Sequence, residues 1–245
     1  MKKFELTDEF KIVFGRKLFR IRALVSFGNV ESGDLGGCVE KEENLSHDGD
    51  AWVYGDAWVY DDAQVYGDAQ VCGDARVYGD ARVCGDARVY GDAQVCGDAR
   101  VYGDARVCGD ARVYGDAQVC GDARVYGDAR VCGDARVYGD AQVYGDAQVC
   151  GDAQVYGDAW VSGDAQVYGD AQVCGDNDYA CVKGFGSEFR NTTFFRTKNG
   201  NIGVKCGCFY GTLDAFREKV EETHGDTKYA QEYLLIADLM EKHFE

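Results

Sequence analysis

The sequence predicts a mainly β protein: a parallel β-solenoid closed by a cap at each end. Three observations predict it. Val recurs every six residues from Val53 to Val173, 21 times without a miss, with Ala two residues before each. A Gly-Asp pair closes nearly every one of these hexads. The segments on either side, 1–48 and 177–245, lose the period and carry all the Lys and Glu, which 49–176 lacks.

Residues 1–48 read as an N-terminal β cap with an irregular first coil. KLFRIRALVSF (17–27) alternates as a strand does. Leu35 stands 18 residues before Val53 and Leu45 six before Ala51, which places residues 33–50 in the interior register. The DLGG stretch (34–37) lacks the GxxxxGK[ST] pattern of a phosphate loop and precedes no clear helix, so it reads as a turn. The two lysines of MKKFELTDEFK have no apolar run behind them, unlike a secretory leader, and no stretch reaches the apolar length of a membrane span. The expected setting is cytoplasmic.

Residues 49–176 are the solenoid. In a strand, residues two apart share a face, so Val and Ala turn inward together. The residues flanking Val (Arg, Gln or Trp before it, Tyr, Cys or Ser after it) turn outward. Gly permits positive φ and Asp tolerates it, which makes the corner. One hexad cannot stand alone. Burying its Val contributes about 1.5–3 kcal/mol, against about 1–2 kcal/mol to order each of six residues. Coils must therefore stack and hydrogen-bond to one another.

Two coil lengths compete. Twelve residues per coil gives a flat, two-sided solenoid and lines Cys72, Cys84, Cys96, Cys108, Cys120 and Cys132 into one ladder. Eighteen gives a triangle, which suits one Val and one Ala per side. It makes seven coils of 21 hexads, roughly 34 Å long at about 4.8 Å per coil. In that register Cys132 and Cys150 are stacked neighbours, and no other pair of repeat cysteines is. In a reducing compartment all of them would be thiols.

The string QVCGDARVYGDARVCGDARVYGDA occupies 70–93, 94–117 and 118–141 without a change. Because 24 is not a multiple of 18, each copy shifts the outward pattern by one face. The outward residues then read most simply as duplicated history, and the inward and corner residues as the fold.

The hexad pattern resembles the hexapeptide-repeat proteins, and the resemblance implies a left-handed parallel β-helix with a triangular section and three hexads per coil. Val matches the inward aliphatic position of that family and Ala its small inward position, whereas the Tyr or Cys after Val departs from it. The layout of RIRAL, GDLGG, Gly-Asp-Ala-x-Val hexads, CGCF-GTL and a helical tail resembles GDAxVY-repeat proteins of bacteria and their phages. That resemblance implies fold and origin, not activity.

Many hexapeptide-repeat proteins are acyltransferases, which use a His as general base beside a loop projecting from the coils. The three His here (His47, His224 and His243) lie outside the hexads, and no loop interrupts Ala51 to Val173. A zinc site of three coil His is missing for the same reason. One Asp per corner offers too few oxygens for Ca²⁺. The sequence therefore predicts no catalytic residue, no metal and no cofactor, with a degenerate acyltransferase relative as an alternative.

Residues 177–245 read as a small α+β cap. Asn199-Gly200 between two apolar-rich runs signals a hairpin. GTLDAFREKVEETHG reads as a helix capped by Thr212, with Leu213, Phe216 and Val220 on one face and Gly225 as its stop. TKYAQEYLLIADLMEKHF reads as a second helix, with Tyr229, Tyr233, Ile236, Leu239 and Met240 inward. Hairpin and helices are expected to cover the last coil. Cys206 and Cys208 form a CxC that His224 could join, but buried structural cysteines are the plainer reading.

The formal net charge is −17, and residues 49–176, with 23 Asp and nine Arg, account for −14 of it. So acidic a surface argues against direct nucleic-acid binding. It points to a protein partner, and a homo-oligomer is compatible with it. The candidate interaction surface is Arg88, Arg106, Arg124, Tyr90, Tyr126, Asp92, Asp110 and Asp128. The alternative is a DNA mimic. Three Asp per coil amount to one carboxylate per roughly 1.6 Å, against about 1.7 Å per charge in duplex DNA.

Overall fold

The computed structural model describes residues 1–245. Twenty-one short strands, β4 to β24, run from Trp52–Val53 to Gln172–Val173 at six-residue intervals. Each pairs in parallel with the strand 18 residues away, as Arg88 with Arg106 and Val89 with Val107. Eighteen residues therefore make a coil, and the twelve-residue alternative is ruled out. Three sheets form the sides, two of seven strands and one of ten. Every repeat Val and Ala is buried in one continuous core.

The hydrogen bonds between coils form a parallel ladder in which the residues on either side of each Val donate to the Ala and Val carbonyls of the next coil. Gln94 N donates to Ala111 O at 2.9 Å and Cys96 N to Val113 O at 3.0 Å, and the pattern repeats along the stack. The N–H groups of the residues flanking each Val thus face the C-terminal end, and the Ala and Val carbonyls the N-terminal end. At the corners the glycines hold positive φ, as Gly103 does at 69°. A Cβ on Gly103 would also lie 3.0 Å from Gly121 N in the next coil. Shape and dihedral both demand glycine there. The one exception is Asp61, at φ 60°, whose carboxylate meets Arg16 at 2.5 Å.

The N-terminal cap supplies donors to the outward carbonyls. Asn44 Nδ2 donates to Asp61 O (3.0 Å) and Ala63 O (2.9 Å). Lys3 Nζ donates to Gly49 O (3.0 Å) and Ala51 O (2.9 Å) from a site that leaves Lys3 3% exposed. Burial there lowers the Lys3 pKa to about 8. Strands β1 (Phe4–Val13) and β2 (Arg16–Ala23) form a hairpin through Phe14 and Gly15, both at positive φ, and Phe4 and Ile21 join the solenoid core.

Strand β3 (Leu35–Val39) connects this hairpin to the solenoid. Its register corrects one expectation. Val39 stacks over Val59 and Leu45 over Val65, an offset of 20 rather than 18, and Leu35 is exposed. The 3₁₀ turn Glu42–Asn44 occupies a corner of this first coil. Gly36 and Gly37 let β3 approach so closely that a Cβ would meet Val53 O and Ala57 O at 2.6 and 2.5 Å.

At the C-terminal end the free N–H groups receive acceptors, and Asp170 O accepts from Lys198 N at 2.9 Å. Trp160 N donates to Asp176 Oδ1 (3.0 Å), Gln166 N to Thr193 Oγ1 (2.9 Å) and Cys174 N to Asp178 Oδ2 (2.9 Å). Beyond them lies an antiparallel sheet of β25 (Tyr179–Val182), β26 (Thr192–Arg196), β27 (Ile202–Cys206) and β28 (Phe209–Thr212). Phe195 of β26 enters the solenoid core, and its neighbour Phe194 enters a second core shared with the helices. The sheet, not the helices, therefore covers the last coil. The expected hairpin joins β26 to β27, with Gly200 at φ 78° and Gly200 N donating to Thr197 O.

Helix α1 spans Leu213–His224. Thr212 Oγ1 caps it by accepting from Ala215 N, and Leu213, Phe216 and Val220 are buried. Helix α2 spans Lys228–His243 and buries Ala230, Tyr233, Ala237 and Met240. Two small alanines hold the contact face, so Tyr229 and Ile236 are only half-buried and Leu239 points to solvent.

Candidate functional site

The outward residues form columns up each side of the triangle. Arg88, Arg106 and Arg124 stack in successive coils of one seven-stranded sheet, between Gln70 and Gln142. All three are exposed. Tyr90 and Tyr126 occupy the next column of the same face, with Cys108 between them in the coil register. Asp92, Asp110 and Asp128 stand exposed along the adjoining corner. The eight residues singled out from the sequence thus share one side of the solenoid.

The ion pairs of the molecule all draw their cation from the two end segments, so the repeat arginines have no carboxylate within 4 Å. On the candidate face, three guanidinium groups and a row of carboxylates are all presented to solvent.

The column after Val shows an order that the sequence reading missed. Tyr and Cys alternate every six residues, and 18 is an odd number of sixes. Tyr therefore stacks on Cys on every face. Tyr66, Tyr78, Tyr90 and Tyr102 stack in register on Cys84, Cys96, Cys108 and Cys120, and each of these phenols is raised in pKa, the neighbouring thiol leading at Tyr66, Tyr90 and Tyr102 and burial at Tyr78. The Tyr78 and Tyr102 hydroxyls donate to Gln94 and Gln118 Oε1 at 3.4 Å. Where the alternation breaks, like meets like. Tyr60 stacks on Tyr78, Tyr126 on Tyr144 and Tyr138 on Tyr156, with centroids 5.0–5.1 Å apart.

Where Cys meets Cys, a disulfide joins Cys132 and Cys150, whose Cα atoms are 4.6 Å apart. This is the pair that the 18-residue register singles out. It is the one place among the repeat cysteines where two sulfurs stack.

A second feature lies in the C-terminal cap. A cavity of about 340 Å³ is lined by Cys206, Cys208 and His224 together with Arg190, Phe216 and Tyr233, among others. The structure thus gathers the three residues that the sequence left apart. Cys206 Sγ accepts from Thr192 Oγ1 at 3.1 Å, and His224 stacks on Tyr233 at 5.7 Å. Burial, with Cys206 adding to it, pushes the Tyr233 phenol up to about 12. No three His, Cys, Asp or Glu side chains converge on a metal-sized site anywhere in the molecule.

The other histidines are structural or peripheral. His47 Nδ1 accepts from Lys3 N (3.2 Å), so Nε2 carries the proton and donates to Glu42 (2.7 Å). With both ring nitrogens engaged, His47 has no free lone pair for a base. His243 packs on Phe244 at the end of α2. No helix is long and apolar enough to cross a membrane.

Eight stretches match the family model described as the YdcK beta solenoid repeat: 69–84, 81–97, 93–107, 105–119, 117–133, 129–145, 147–163 and 153–169. The match and the coil geometry agree that this is a repeat β-solenoid protein. A search of curated proteins finds no match.

Proposed function

We propose that the chain is a non-enzymatic solenoid scaffold that binds a protein partner through the side bearing Arg88, Arg106 and Arg124, with Tyr90, Tyr126 and the Asp92, Asp110 and Asp128 corner. The observation that carries the reading is the unpaired state of that face. Three stacked guanidinium groups lie beside the exposed Tyr90 and the half-buried Tyr126 on a rigid sheet. Tyr and Arg are the residue types that most often dominate binding energy at protein interfaces. A rigid face also spares the ordering cost that a loop would incur on binding.

The non-enzymatic part rests on the histidines. None lies within the regular hexads, and both ring nitrogens of His47 are engaged, by Lys3 N and Glu42. The test is affinity capture from a bacterial lysate with the full chain and with the triple variant Arg88→Ala, Arg106→Ala, Arg124→Ala. Loss of a captured protein with the variant supports the reading. Equal capture by both moves the interface elsewhere.

A second reading is favoured by the carboxylate rows. Asp stands exposed at nearly every corner and, away from the ends, without an ion-pair partner, at a charge spacing like that of duplex DNA. On this reading the solenoid mimics DNA for a nucleic-acid-binding protein, such as one of host defence, and the chain is of phage or mobile-element origin. Replacing Asp92, Asp110 and Asp128 with Asn would then abolish capture, and moderate salt would release the partner.

A further inference from the structure

The ten-stranded sheet ends at β1, whose outer edge has no neighbouring strand. The two-residue turn makes Val13 and Arg16 a hydrogen-bonded pair, and the register makes Lys11 and Leu18 the next such pair. Phe10 and Ile12 therefore turn their own N–H and C=O groups toward the free edge. These residues also present apolar side chains to water. Phe10 is 44% exposed, Ile12 69%, and Phe14, which follows at the turn, 83%.

Proteins usually blunt such an edge with a charge, a proline or a bulge. Here the bulge lies between Leu6 and Phe10, short of the exposed stretch. Lys11 does not guard the edge either, because its Nζ is held by Asp56 at 2.8 Å.

The alternate residues Phe10, Ile12 and Phe14 read the same in both directions about Ile12. Antiparallel pairing with an identical strand about Ile12 would set Ile12 against Ile12 and bring Phe10 of each copy toward the turn residue Phe14 of the other. It would join the free backbone groups of the two Ile12 residues. An unrelated strand has no reason to share this order, whereas a second copy always does.

Charge permits the approach. Lys11, Arg16 and Arg20 are each paired within the chain, with Asp56, with Glu40 and Asp61, and with Glu9. Lys17 lies 4.6 Å above the Phe10 ring. The hairpin tips carry none of the repulsion that two acidic solenoids side by side would meet.

We propose that the outer edge of β1 is a self-association surface that pairs with β1 of a second copy about a two-fold axis at Ile12. The shared segment is short, so the dimer is weak and reversible. Sedimentation velocity over a concentration series tests this on the full chain, on Ile12→Lys, and on Leu235→Lys, which alters an exposed apolar residue of α2 instead. The expected result is a concentration-dependent dimer for the native chain and for Leu235→Lys, and a monomer throughout for Ile12→Lys with unchanged melting. A native chain that stays monomeric overturns the proposal, as does a dimer that survives Ile12→Lys or one lost on Leu235→Lys.

Discussion

Single residues at the solenoid's ends and corners carry more than their size suggests. Lys3 is a buried amine whose pKa falls from 10.5 to about 8 on folding. Between those values the unfolded chain holds a proton that the folded chain has released. Stability therefore rises with pH across that window. Comparing denaturant unfolding of the native chain with that of Lys3→Met should show the native advantage growing from about pH 8 to 10.5. Lys3→Met should also be less stable at neutral pH, by about 1–3 kcal/mol for each carbonyl left without a donor. Gly103→Ala meets two obstacles at once, a left-handed backbone and a Cβ 3.0 Å from the next coil. A loss of at least about 1–2 kcal/mol in urea unfolding is expected from the backbone alone. Gly at that position was legible from the repeat. Lys3 was not, because nothing in MKKFEL reveals that carbonyls wait below it.

Among the elements, β26 is the joint of the molecule. Its alternation sends Phe195 into the solenoid core and Phe194 into the helical core. Phe195→Ala should cost about 3–5 kcal/mol and speed hydrogen exchange at Trp160 and Gln166, whose amides rest on Asp176 and Thr193. The amides of α1 and α2 should exchange at native rates. The helices and the hairpin turn were readable because capping and amphipathic signals are local, and Thr212, Leu213, Phe216, Val220 and Gly225 all stand where those signals put them. Strand β1 went unread because FELTDEFKIV carries charges through its middle, and only its pairing with β2 makes it a strand. Leu239 was misassigned because a helical stripe does not say which side its neighbour occupies. The cavity around Cys206, Cys208 and His224 depends on three elements meeting, which no spacing in the sequence encodes.

For the whole molecule, the period fixed almost everything between residues 49 and 176, and the ends depended on tertiary contacts. The coil length has a covalent readout. Deleting the single hexad 136–141 would keep every Val and Ala in register but set Tyr156 against Cys132 in place of Cys150. Thiol mapping should then find both cysteines free, while removal of a full coil from 100–117 should leave the disulfide intact. The same register explains why the Tyr and Cys column is more than copied history. Alternation by six within coils of 18 keeps thiols apart on all three sides, and the single lapse is bridged.

The two ends of the stack are unlike, since one presents the Ala and Val carbonyls and the other the N–H groups of the residues flanking Val. The solenoid therefore has a direction, as a polar filament does. Two uncapped ends that continue the parallel ladder join head to tail, and repeated joining gives an open fibre rather than a closed pair. Lys3 and Asn44 at one end, with Asp176, Asp178 and Thr193 at the other, hold that growth at a single unit. Loss of either cap would expose one terminus to a partner of the same kind, and loss of both would leave a subunit with the polarity needed for unlimited polymerisation.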